Sequence, residues 1–131
     1  MQGDGIAGYP NVGKYDGNFK NSKRFGTGTF TWNNGDKYIG EWSDDKINGI
    51  GELTWATGDK YSGSFKNNAI DGQGTLAYVN GDNYNGLYSC GLRNGEGTYQ
   101  WHNGDYYEGE WKDDAITGYG KVIFQNNDEL D

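Results

Sequence analysis

The chain of 131 residues has one cysteine, one histidine, one proline and one methionine. A single thiol, Cys90, closes no intramolecular disulfide, which excludes a cysteine-stapled fold. No run of about 18 apolar residues is present to span a bilayer, and no apolar run near the N-terminus resembles a signal peptide. The cytoplasm is therefore the expected location. Catalysis needs an acid, a base or a nucleophile converging on one place, and His102 and Cys90 each sit inside otherwise regular sequence. No catalytic residue, metal-ligand set or cofactor is expected. A net charge of -8 argues against nucleic acid, which is held mainly by Lys and Arg neutralising phosphates.

Aliphatic residues are scarce as well: 33% of the chain is hydrophobic, and aromatic rings alone account for 16%. Twenty-four glycines beside one proline would suit a disordered chain, but such chains are poor in rings, and this one has 11 Tyr, 5 Trp and 5 Phe. The composition implies a folded protein built on aromatics.

Those aromatics repeat. Tyr15, Tyr38, Tyr61, Tyr84 and Tyr107 stand 23 residues apart without insertion. In phase with them run Gly17, Gly40, Gly63, Gly86 and Gly109, and then Phe19, Trp42, Phe65, Tyr88 and Trp111. The second half of each unit is Gly-x-Gly, beginning at Gly26, Gly49, Gly72, Gly95 and Gly118, followed by Trp32, Trp55, Tyr78, Trp101 and Phe124. Gly-Asp closes the first four units and Asn127-Asp128 the fifth. One domain, 1–131, is expected, with repeats at 15–37, 38–60, 61–83, 84–106 and 107–129. A decayed half-repeat at 3–14 would act as a cap strand.

Within each half the special residues fall on alternate positions, the period of a β-strand. Strand one puts Tyr15, Gly17 and Phe19 on one face; strand two adds Gly26, Gly28, Phe30 and Trp32, leaving Thr27, Thr29 and Thr31 on the polar side. Keeping all rings on one face requires an even-length turn within "KNSKR" and an odd-length loop at "NNGD". A three-residue loop with the glycine left-handed satisfies the second condition. The strand glycines are expected to seat neighbouring rings. Asp36, Asp59, Asp82, Asp105 and Asp128 read as turn caps, since calcium-binding β-helices repeat every nine residues or so.

Tyr-x-Gly-x-Trp/Phe, then Gly-x-Gly, then Trp or Tyr with Gly-Asp, five times in register, resembles the MORN (membrane occupation and recognition nexus) repeat family. The resemblance implies an all-β, elongated, single-layer twisted antiparallel sheet with one hairpin per repeat. Similar sequences often carry Lys, Arg or His between the two strands, whereas this chain has Arg24 and Arg93 but Ile47, Ile70 and Ile116 there. That weakens a lipid-binding row, and the lysines and arginines are spread along the chain among 19 acidic residues.

Rings bury ~150–250 Å² each, and one layer cannot cover both sides of 15 rings. With a third of that area open, roughly 750–1,250 Å² of apolar surface would be exposed, more than a monomer usually shows. The expected function is a non-catalytic scaffold or adaptor that holds an amphipathic helix or peptide of another protein. Its expected groove comprises Tyr38, Trp42, Trp55, Tyr61, Phe65, Tyr78, Tyr84, Tyr88, Trp101, Tyr107 and Trp111, bordered by loop residues Ile47, Ile70 and Ile116. A phospholipid-binding tether and a regulatory region of a larger enzyme are the alternatives. Open sheet edges near 3–9 and 121–129 leave room for a homodimer. Association with cytoskeleton or membrane would come through the partner.

Overall fold

A computed structural model describes residues 3–124. They form one sheet of eleven antiparallel strands in sequence order, and no helix occurs among the described residues. The strands are β1 (Gly3–Tyr9), β2 (Gly13–Lys20), β3 (Lys23–Trp32), β4 (Lys37–Ser43), β5 (Lys46–Thr54) and β6 (Lys60–Lys66). They continue as β7 (Ala69–Ala77), β8 (Asn83–Ser89), β9 (Leu92–Gln100), β10 (Tyr106–Lys112) and β11 (Ala115–Ile123). Each of the pairs β2–β3, β4–β5, β6–β7, β8–β9 and β10–β11 is the hairpin of one repeat, and β1 caps β2.

The two kinds of connection follow the expected parities. Within a repeat the turn has two residues, both at positive φ, as in Asn21 (53°) and Ser22 (65°) or Asp44 (53°) and Asp45 (71°). This is the type I′ geometry, which suits the twist of a hairpin and favours Asn, Asp and Gly. Between repeats the loop has three residues. Trp32 N donates to the Asp36 carbonyl at 2.9 Å and Gly35 N to the Trp32 carbonyl at 3.0 Å, with Gly35 at φ 101°.

Each repeat also contains an irregularity. Gly17 faces Gly28 but Phe19 faces Arg24, so Phe25, Gly26 and Thr27 together oppose Asn18. Gly26 takes φ 67°, and the Asn18 side chain accepts from Thr27 N at 3.0 Å. The first glycine of each Gly-x-Gly is therefore a bulge residue and not a ring seat, which corrects the sequence expectation; the second glycine is the seat. Every strand contributes one glycine to a continuous row: Gly5, Gly17, Gly28, Gly40, Gly51, Gly63, Gly74, Gly86, Gly97, Gly109 and Gly120 face one another in turn.

The repeat tyrosines lie across this row. A Cβ on Gly28, Gly51, Gly74 or Gly97 would collide with the ring of Tyr15, Tyr38, Tyr61 or Tyr84 respectively. Each hydroxyl reaches forward three residues to a backbone carbonyl, for example Tyr38 to Glu41 at 2.8 Å and Tyr61 to Ser64 at 2.9 Å. Trp42, Phe65, Tyr88 and Trp111 stand between successive tyrosines and Phe19 ends the row against Tyr15, all meeting them edge to face at centroid separations of 5.1–5.5 Å and angles of 78–90°. Such contacts contribute about 0.5–1.5 kcal/mol each beyond area burial. The ten rings form one unbroken ladder across all five repeats. Burial pushes the Tyr61 and Tyr84 phenols up to about 12, so neither ionises while the sheet is folded at neutral pH.

Tyr88 is the one ladder member with a mismatch. It occupies the place of Phe65 one repeat earlier, and its buried hydroxyl finds no hydrogen-bond partner. Since a buried unpaired polar group costs about 1–3 kcal/mol, Tyr88→Phe is expected to raise the unfolding free energy by ~1 kcal/mol, read as a higher urea midpoint. An unchanged or lower midpoint would show that this hydroxyl is satisfied in solution.

Candidate partner-binding face

The repeat aromatics share one face, where three further series flank the ladder, while Phe25, Tyr106 and Tyr119 lie on the other. Phe30, Leu53, Leu76, Tyr99 and Val122 pair directly with the repeat tyrosines across the strands. Trp32, Trp55, Tyr78 and Trp101 close the strands toward the three-residue loops. Arg24, Ile47, Ile70, Arg93 and Ile116 lie toward the two-residue turns. Alternation along the strands already places Phe30 on the ring face with 28 and 32, but the groove expected from the sequence did not include its series.

Two sequence expectations change here. Ile47, Ile70 and Ile116 are not loop tips: each is the second residue of its strand, paired with Trp42, Phe65 or Trp111. Ile47 is buried, Ile70 partly so, and Ile116 is exposed on β11. In addition, eight of the eleven rings expected to make contact are buried: Tyr38, Trp42, Tyr61, Phe65, Tyr84, Tyr88, Tyr107 and Trp111. The rings cover one another, a packing that the area argument did not contain. Trp55, Tyr78 and Trp101 remain partly exposed, as does Trp32.

Adjoining hollows open between the exposed rings and the turns. One of about 250 Å³ is lined by Val12, Arg24, Phe30, Trp32, Trp42, Ile47 and Asn68. The next, about 220 Å³, is lined by Trp32, Asp36, Ile47, Leu53, Trp55, Phe65 and Asn68. A third, about 460 Å³, lies beyond Trp55 against Leu76, Asp36 and Asp59. Trp32, Ile47 and Asn68 are common to the first two, so the hollows join into a groove running across the strands from β3 to β6.

Polar side chains tie each repeat to the next at both rims. At the loop rim, Asp36 Oδ1 accepts from Ala56 N at 2.7 Å, Asp59 Oδ1 from Val79 N at 2.8 Å and Asp82 Oδ1 from His102 N at 2.8 Å. These three aspartates cap the following loop; Asp128, the last of the series, lies outside the described residues. Asp82 also accepts from the Tyr99 hydroxyl at 2.7 Å, which with the His102 contacts holds its carboxyl below the usual range. His102 itself is largely exposed.

At the turn rim, Asp45 N, Asn68 N, Gly91 N and Asp114 N donate to the carbonyls of Arg24, Ile47, Ile70 and Arg93 at 2.8–3.0 Å. The two arginines occupy equivalent places. Arg24 lies 4.7 Å from the Trp42 ring centre and donates through Nε to Asp45 at 2.7 Å; Arg93 lies 4.5 Å from Trp111 and donates to Asp114 at 2.5 Å. Partial burial pushes the Asp45 carboxyl up, but the Arg24 hydrogen bonds and charge outweigh it and hold the group below its ordinary range. Both arginines are held within the sheet by these ion pairs and ring contacts.

The profile of the MORN repeat matches the chain five times, at residues 15–37, 38–60, 61–83, 84–106 and 107–129. The chain belongs to the MORN repeat family. No curated protein matches it at a significant level. The five matched units correspond to the five hairpins, each MORN repeat giving one strand pair whose tyrosine lies on the glycine row. Among the described residues, no group of three or more His, Cys, Asp or Glu is placed to hold a metal ion.

Proposed function

We propose that this MORN-repeat chain is a non-catalytic scaffold whose aromatic face holds an apolar segment of another protein. The groove between Trp32, Trp55 and the Ile47 turn rim carries this reading. Its floor of Phe30, Trp42, Leu53 and Phe65 is apolar and fixed by the ladder, while Trp32 and Trp55 stand partly uncovered at its edge. Large half-exposed rings on a rigid floor are the usual anchors of a protein interface. Association with a cellular structure would then follow from the partner that the groove captures.

The test is affinity capture from native lysate with three chains: wild type, Trp55→Ala, and Glu52→Gln as a polar-face control. Circular dichroism first establishes that each variant is folded. A protein captured by wild type and Glu52→Gln but lost with Trp55→Ala is the expected result. Equal capture by all three would move binding off the aromatic face and overturn the proposal.

A further inference from the structure

We infer that the segment held by the groove is an amphipathic helix whose apolar stripe is flanked by lysine or arginine at positions i and i+7. The inference rests on the scaffold reading and specifies the partner's chemistry. Its basis is how charge divides between the two faces.

All nine lysines lie on the face away from the rings. Each is the chain neighbour of a residue on the aromatic side, as Lys14 is of Tyr15, Lys46 of Ile47 and Lys112 of Trp111. Strand alternation therefore turns every lysine outward from the groove. There they mix with Asp4, Asp16, Glu41, Glu52, Glu96, Glu108 and Glu110, which leaves that face with a small positive excess. On the aromatic face the only cations are Arg24 and Arg93, each bound to an aspartate of the next turn.

What is left over on the aromatic face is negative. Asp36 and Asp59 stand at the loop rim of the hollows, one repeat apart and partly exposed, with no cation beside them in the groove lining. An acidic occupant would meet repulsion there, and a purely apolar one would leave both carboxylates facing apolar surface. A cationic flank satisfies both.

The spacing selects a helix. One repeat is two strands, roughly 9.6 Å across the sheet, and two turns of α-helix rise ~10.8 Å. A helix lying across the strands thus brings side chains seven residues apart to successive repeats. Apolar residues at i+1, i+4, i+5 and i+8 form the stripe beside that cationic edge and lie over the hollows.

Titration calorimetry of the full chain against three helical peptides tests this. The peptides share one leucine stripe and carry Lys, Gln or Glu at the flanking i and i+7 positions. The expected order of affinity is Lys, Gln, Glu, with at least a tenfold gap between Lys and Glu that narrows as salt is added. In the Asp36→Asn, Asp59→Asn double variant, which keeps a carbonyl oxygen for each loop cap, the Lys peptide should lose several-fold while the Gln peptide is unchanged. Equal binding of all three peptides to wild type overturns the cationic flank and leaves the scaffold reading standing. Binding of none, or binding unaffected by Trp55→Ala, overturns both. Trp55-dependent self-association that the Lys peptide does not displace would assign the groove to a second copy, and Trp55-dependent sedimentation with phosphatidylserine vesicles would assign it to a membrane; either also overturns the inference.

Discussion

Alanine at Gly74 is expected to lower the unfolding free energy by about 3 kcal/mol, the upper range for forcing an extra methyl group into a filled core. The new Cβ would lie on the Tyr61 ring, against its hydroxyl, Cζ and Cε1. That ring has nowhere to go. Phe65 and Tyr88 stand edge to face on either side at 5.1 and 5.5 Å, and its hydroxyl is bonded to the Ser64 carbonyl at 2.9 Å. Lifting it would break the ladder in the middle repeat and expose a side chain that is 0% accessible. Gly8→Ala is the matched control: an added Cβ meets nothing within 4 Å, and the backbone there is not left-handed. Its urea midpoint should stay at the wild-type value while that of Gly74→Ala falls. Equal midpoints for the two would mean that the glycine row does not seat the tyrosines.

The second large effect separates two tryptophans that look alike in sequence. Trp42 is 5% exposed, wedged between Tyr15 and Tyr38, covered by the Arg24 guanidinium, and donates Nε1 to the Gly28 carbonyl at 3.2 Å. Trp42→Ala removes all of this and should cost about 3–5 kcal/mol, the range for emptying a buried aromatic site. Trp55 packs only partly against the core and lines open hollows on both sides. Its removal leaves a shallower groove and not a cavity, so Trp55→Ala should cost less than half as much, about 1–2 kcal/mol.

The burial that separates Trp42 from Trp55 is not written in the alternation of either strand. The 23-residue period, the strand pair per repeat, the common aromatic face and the three-residue loop around Gly35 were all legible, because each is a parity or a spacing along the chain. The bulge at Gly26 was not, since a shift of two residues keeps every side chain on its face and leaves no trace in the alternation. That shift pairs Arg24 with Phe19 and Ile47 with Trp42 inside the strands, where regular pairing would have left both in the turn. Nor does alternation say which ring covers which: Tyr15 is buried by Trp42, which lies 27 residues on in the next repeat. Coverage arises from stacking one hairpin on another. A face is readable from one strand, but exposure on that face depends on its neighbours.

The proposed function requires chemically similar rings to divide into a row that holds the sheet and a row left for a partner. Urea denaturation of Trp42→Ala and Trp55→Ala beside wild type, followed by circular dichroism, tests that division most directly. The result expected is a loss of about 3–5 kcal/mol for Trp42→Ala and less than half of it for Trp55→Ala. A loss for Trp55→Ala equal to or greater than that for Trp42→Ala would contradict it, because the outer ring would then belong to the core.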